Sequence, residues 1–189
     1  MRRHSKPWTA VQRGVAEAVK SAGGTAVAVI DSVADVVGAV LRDSGIIGAT
    51  LVGAAAQIAE QAVRGAAKVG GEMGSVAHGF LLGLLRATKE TGEEALVTIT
   101  HAASCFIKQT GALGLDCAGA ATGLVEGAIA MSQELGLDAA QAAAAAAQGA
   151  LEAAYDVGAT AGDKVRDALK GTIAGVKIVI KEPFRSHGR

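Results

Sequence analysis

The sequence predicts an all-α fold made of eight repeats of 22 residues. Glycines recur at this interval with no insertion or deletion, at Gly48, Gly70, Gly92, Gly114, Gly136 and Gly158. Between them, apolar residues recur in steps of three and four, which fits a helix, and the alternation of a strand is absent. Alanine, a strong helix former, is abundant, and the two prolines, Pro7 and Pro183, lie outside the repeats.

Each repeat contributes one apolar helix face, because three apolar columns continue through all eight copies, from about residue 4 to residue 179. The sixteenth position, counting the glycine as first, holds Val19, Leu41, Val63, Leu85, Ile107, Ile129, Leu151 and Ile173. The positions four and eight residues earlier are apolar as well. We expect these faces, including Leu85, Ile107, Ile129 and Leu151, to pack between helices.

One interpretation of the period is a single helix per repeat, closed by a glycine turn and stacked with its neighbours in an antiparallel array or solenoid. Charges are placed as the dipoles of separate helices require. Acids occupy the third position in Glu72, Glu94, Asp116 and Asp138, and bases occupy the seventeenth in Lys20, Arg42, Arg64, Arg86 and Lys108.

A second interpretation treats 22 as two elevens, so that the apolar stripe runs straight through each glycine and supercoils long helices. The absence of insertions favours this arrangement, since turns tolerate changes in length and a continuous stripe does not. The sequence leaves both arrangements open, with long helices favoured in the N-terminal half.

A further column of small residues predicts close contacts between helix backbones. It comprises Gly83, Cys105, Gly127, Gly149 and Gly171, and a related run of glycines at 119, 123 and 127 has four-residue spacing. Faces of alanine and glycine bury little apolar area per residue, so a single chain has a thin core. We therefore expect a homo-oligomer.

The net charge is zero, but the charges are unevenly distributed. Arg2, Arg3 and Lys6 lie beside Trp8, a combination that suits contact with an anionic membrane surface. The alternative is a solvated basic tail, with Trp8 as the first core residue. The predicted divisions are a basic N-terminal tail (1–10), a helical repeat domain (11–180) and a C-terminal tail (181–189).

Few residues suggest chemistry. His101 and Cys105 are four residues apart and His78 lies one repeat upstream, so a metal site can be imagined, but both cysteines fit better as small packing residues and both histidines as residues of polar faces. No Gly-Lys-Ser/Thr follows the glycines, and the carboxylates lack a partner base. The expectation is a protein that is not an enzyme and that binds no metal.

Location and partners follow from charge and hydropathy. The acidic middle of the chain argues against nucleic acid. The longest uncharged stretch, Ser44–Ala59, is shorter than the ~20 residues that span a bilayer, and the N-terminal region lacks the pattern of a signal peptide. We expect a cytoplasmic protein that lies at the periphery of the inner face of the cell membrane.

Helical repeats of 11 and 22 residues rich in Ala, Gly, Val and Thr, such as Ala62–Gly71 and Ala168–Gly175, resemble the lipid-surface repeats of perilipins and synucleins. The resemblance is one of composition and covers most of the chain. Those families carry abundant lysine on the polar face, whereas Ala142–Ala147 is unbroken alanine here and suits burial among other helices. Polymer-granule phasins match less well because they lack glycine ladders. This resemblance implies a peripheral amphipathic coat of a lipid or polymer droplet.

In size, helical apolarity and basic end, the chain is also similar to the scaffold subunit of actinobacterial hydrogen-scavenging NiFe hydrogenases. That subunit is an oligomeric stalk that joins catalytic subunits and links them to membrane quinone. The resemblance implies a non-enzymatic, self-associating scaffold of a larger enzyme complex, with no tightly bound cofactor and with a lipophilic quinone or lipid in the oligomer interior. This is the leading functional prediction, and the droplet coat is the alternative.

Overall fold

The computed structural model describes residues 7–21, 25–44, 49–88 and 92–180. These residues form eight α-helices and one small hairpin, and 82% of them are helical, which confirms the all-α prediction. The elements are α1 (Pro7–Ser21), α2 (Ala26–Ser44), α3 (Ala49–Lys68), α4 (Met73–Thr88), α5 (Gly92–Ala112), α6 (Cys117–Met131), α7 (Ala139–Val157), α8 (Ala159–Ala168), β1 (Thr172–Ile173) and β2 (Val176–Lys177).

The helices are separate in the described residues, and left-handed glycines lie in the connections. After α5, the Gly114 N–H donates to the Gly111 carbonyl (3.0 Å) and the Leu115 N–H donates to the Thr110 carbonyl (3.0 Å). This is a Schellman motif, which needs a residue with positive φ just beyond the helix. Four glycines of the 22-residue column have such a φ: Gly70 (+68°), Gly92 (+61°), Gly114 (+66°) and Gly136 (+66°).

Aspartates of the same sequence pattern cap the helices that follow. The Asp116 carboxylate accepts hydrogen bonds from the N–H groups of Ala118 and Gly119 (both 3.0 Å) at the start of α6. Asp138 does the same for α7, with its shortest bond to the Ala140 N–H (2.8 Å). Each cap satisfies N–H groups that a helix start leaves without partners. Long continuous helices are therefore absent from this part of the chain, and the separate-helix interpretation describes it better.

The helices form two rows rather than a single file. Each helix from α1 to α7 packs mainly against a helix two places along the chain, so α1, α3, α5 and α7 make one row, and α2, α4 and α6 make the other. The short helix α8 extends the second row beside α6 but packs more extensively against α7. Within the second row, α2 and α4 run parallel, because Gly79 contacts Ile30 and Gly83, one turn later, contacts Ala34. Where the structure describes the connection, as between α3 and α4 and between α5 and α6, a short turn joins one row to the other.

The core lies between and along the rows and is built from the predicted apolar columns. Leu85, Ile107 and Leu151 are buried, as are Leu41 and Val63 of the same column and most members of the columns before it. Phe80 and Phe106 add the two largest fully buried side chains, with ring centroids 5.1 Å apart. The apolar stripe of each helix therefore faces other helices of the same chain.

A hairpin follows α8 where the sequence analysis placed helical repeat. Thr172 pairs with Lys177 and Ile173 with Val176, and the two turn residues have positive φ, +46° at Ala174 and +81° at Gly175. Positive φ at both central positions is the geometry of a tight hairpin turn. The expectation that Ala168–Gly175 is helical is thus wrong beyond Ala168.

The predicted boundary between the N-terminal tail and the helical repeats also differs from the structure. The first helix begins at Pro7, inside the segment predicted to be a tail, because proline fits the first position of a helix, where its missing N–H has no partner to lose. The tail residues 1–6 and 181–189 lie outside the described ranges.

Candidate functional site

Glycines bring parallel helices of one row into backbone contact. A Cβ placed on Gly79 or Gly83 of α4 would lie 2.5 Å from the carbonyl oxygen of Ile30 or Ala34 of α2. Real Cβ atoms do not approach carbonyl oxygens so closely, so only glycine permits this separation.

The same contact recurs further along both rows. Gly123 of α6 lies against the carbonyl of Gly74 in α4, and Gly149 of α7 lies against that of Thr100 in α5. Gly127 is looser, since its Cβ would lie 3.2 Å from the His78 carbonyl. In all of these contacts, including those of Gly79 and Gly83, the glycine follows the residue whose carbonyl it contacts by the same number of positions in the sequence. The helix pairs α2–α4, α4–α6 and α5–α7 therefore share one packing register.

The other residues predicted for helix packing have mixed outcomes. Leu85, Ile107 and Leu151 are buried in the core, and Ile129 is half-buried against it. Gly171 lies after α8 with a φ of +102°, and no described atom is within 4 Å of the position of its Cβ. Gly171 therefore serves the turn before the hairpin and not a helix contact, which corrects the prediction.

An open groove runs along the outer surface between α5 and α7 and is the main candidate site. Its volume is about 770 Å³, within the range of ligand sites in general. Apolar and polar side chains both line it: Leu96, Val97, Thr100, His101 and Ser104 from α5, Gln141, Ala144, Ala145, Gln148, Gly149 and Glu152 from α7, and Val179 after the hairpin.

The floor of the groove is fixed by contacts between the two helices. The Thr100 hydroxyl shares its one hydrogen between the carbonyls of Leu96 (3.0 Å) and Ala145 (3.2 Å), and the second of these contacts joins α5 to α7. Beyond the groove, Lys108 Nζ lies 3.3 Å from Asp156 Oδ2, but both side chains are exposed and such a pair adds little stability. Val97 and Val179 remain 66% and 67% exposed, so the groove presents apolar surface to solvent.

His101 and Cys105 are close enough to interact at the edge of this groove. Cys105 Sγ lies 3.4 Å from His101 Nε2. Burial raises the pKa of the Cys105 thiol and outweighs the opposing effect of Lys108. A raised pKa keeps the sulfur protonated at neutral pH, and the thiolate is the reactive form. The geometry fits a hydrogen bond better than an activated nucleophile.

His78 lies in the other row and does not share this site. Its side chain is only 15% exposed between α4 and α6, with Nδ1 3.7 Å from Glu126 Oε2. Burial lowers the pKa of the imidazole, and the carboxylates of Glu126 and Asp31 offset this effect only in part. The expectation that His78 occupies a polar face is therefore wrong.

The sequence analysis also considered two other groups of residues, one for a metal ion, which it judged against, and one for contact with a membrane. In the described ranges, no three His, Cys, Asp or Glu side chains come together in a way that could hold a metal ion. Arg2, Arg3 and Lys6 lie outside the described residues, and only the helical backbone of Trp8 is described. Membrane contact by this cluster remains a prediction.

Sequence reasoning missed most residues of the groove. Val97, Gln148 and Glu152 fall on faces that a helical pattern assigns to solvent, and α5 and α7 are separated in the chain by all of α6. One usable signal was present: Gly149 belongs to the small-residue column, which predicts a helix in close contact with it.

Comparison with protein-family models, with curated proteins and with solved structures finds no match to this chain. Among the described residues, none of the helices combines the length and the apolarity that crossing a bilayer requires.

Proposed function

We propose that this protein is a non-enzymatic, self-associating helical scaffold that organises a larger complex at a membrane surface. In this proposal each 22-residue repeat is one structural unit of the stack. A scaffold of this kind needs a rigid body with its own core and a surface on which partners can bind.

The observation that carries the proposal is the direction of the apolar faces. Val15, Val37, Leu81 and Val125, which belong to one sequence column in copies one, two, four and six, are all fully buried among helices of the same chain. A droplet coat would turn such residues toward lipid. Burial against other helices supports a body that is folded before it meets any partner.

The proposal has a second part, which is that the protein holds a lipophilic molecule, and the groove between α5 and α7 supports it. It offers apolar contact from Leu96, Val97 and Ala144, with the polar groups of His101 and Gln148 beside them. We assign this groove as the site for a lipophilic molecule such as a quinone or lipid tail. Its location on an outer surface differs from the interior site predicted from the sequence.

Circular dichroism with and without anionic vesicles tests the scaffold against the coat. A scaffold is strongly helical without lipid and melts cooperatively, and vesicles add little helix. A coat is largely disordered until it binds lipid, because its apolar faces have no other partner. If helicity is low in buffer and rises steeply when vesicles are added, the droplet-coat proposal would replace the scaffold proposal.

A further inference from the structure

The groove between α5 and α7 has an occupant of suitable chemistry within the same chain. We propose that the C-terminal segment 181–189 binds along this groove. The inference goes beyond the scaffold function and does not depend on it, because it concerns the isolated protein without a lipophilic molecule, which would compete with the segment for the same groove.

The first argument is position. Val179, the last residue but one of the described chain, is itself part of the groove lining. Lys181 follows Val179 by two positions in the sequence, so a segment bound in the groove needs no linker to reach it.

The second argument is length. The groove extends along α7 from Gln141 to Glu152, which corresponds to about 16 Å at 1.5 Å per helical residue. The nine residues 181–189 span up to about 30 Å when extended, at about 3.3 Å per residue. The segment is long enough to follow the whole groove.

The third argument is chemical complementarity. The segment contains one large apolar side chain, Phe184, and its Lys and Arg residues (Lys181, Arg185 and Arg189) outnumber its one acid, Glu182. Among the lining residues that the structure describes, Glu152 is the only carboxylate and none is Lys or Arg. Phe184 suits the apolar part of the groove, and a basic residue suits Glu152.

Methyl NMR on the full chain, with a soluble paramagnetic agent, tests the proposal. Val97 in the groove and Val27 on α2 are exposed to nearly the same extent in the structure, 66% and 70%. If the segment covers the groove, the Val97 methyls are protected several-fold more than those of Val27. Phe184→Ser should then restore the relaxation of Val97 and leave Val27 unchanged.

A pair of charge reversals separates binding in the groove from a general effect. Glu152→Lys should reduce the protection of Val97, whereas Glu134→Lys, at an exposed acid outside the groove, should not. Equal relaxation of Val97 and Val27 in the unmodified chain would overturn the proposal. Protection that disappears on dilution would overturn it as well, because the segment would then come from a second copy.

Discussion

Gly149 of α7 lies directly against the backbone carbonyl of Thr100 in α5, and the Thr100 hydroxyl donates in turn to the Ala145 carbonyl at 3.2 Å. The absent side chain at Gly149 thus sets the distance at which the Thr100 hydroxyl can bridge the two helices. The same type of contact occurs in both rows, at Gly79 and Gly123 among others.

Gly149→Ala is therefore expected to destabilise the protein by about 1 to 3 kcal/mol, the usual effect of overpacking a tight contact. Gly53 in α3 is the matched control, since it is helical and exposed and no described atom lies within 4 Å of the position of its Cβ. Gly53→Ala should stabilise by about 0.5 to 1 kcal/mol through helix propensity. Urea unfolding measures both changes, and effects of the same sign would contradict the close contact.

The left-handed turns provide a second prediction. Gly136 has a φ of +66°, and Gly136→Ala should cost about 1 to 2 kcal/mol because a Cβ disfavours this conformation. Gly158 belongs to the same sequence column but has an extended φ of 164°, which any residue adopts. Gly158→Ala should leave the melting temperature nearly unchanged. Equal losses at the two sites would mean that the glycine column does not act through backbone conformation.

Loss of a helix cap gives a third prediction. Asp138→Ala removes the acceptor for the N–H groups of Ala140 and Gln141 and should destabilise by about 0.5 to 2 kcal/mol. Asp138→Asn keeps an oxygen acceptor and should retain most of the stability. Thermal melts compare the two variants, and an alanine variant as stable as the asparagine variant would show that the cap is dispensable.

Acid should destabilise the fold through His78. Burial lowers the pKa of this imidazole below its ordinary value of 6.5, so the unfolded chain takes up the proton at a higher pH than the folded chain does. Stability that is complete above about pH 6.5 is then lost progressively as the pH falls below it. His78→Gln should reduce the drop in melting temperature between neutral and mildly acidic buffer, and an unchanged drop would exclude this histidine as the cause.

The sequence predicted the faces of the helices better than their arrangement. The columns of Leu85 and Val125 identified buried residues because a helical period fixes which side chains share a face. The same columns are compatible with one long helix or several short ones. The difference depends on the conformation of Gly114 and on the cap at Asp116, which are local events of one or two residues.

Two features could not follow from the repeat. Leu169 and Ile173 continue two of the apolar columns and are buried, so the pattern extended a helix through what is a hairpin. The groove requires α5 to lie beside α7, and a linear pattern does not encode which helix becomes the neighbour in a row. Which helices become neighbours depends on the angle of each turn, and that angle depends on the backbone dihedrals of the turn residues. The glycine column permits the required dihedrals but does not specify them.

Sedimentation velocity of the lipid-free full-length protein tests the central claim most directly, because it reports mass and shape together. The scaffold proposal predicts a compact particle whose mass is a multiple of the single chain and does not change on moderate dilution. A single chain, or an expanded one with the frictional ratio of an unfolded polypeptide, would contradict the proposal.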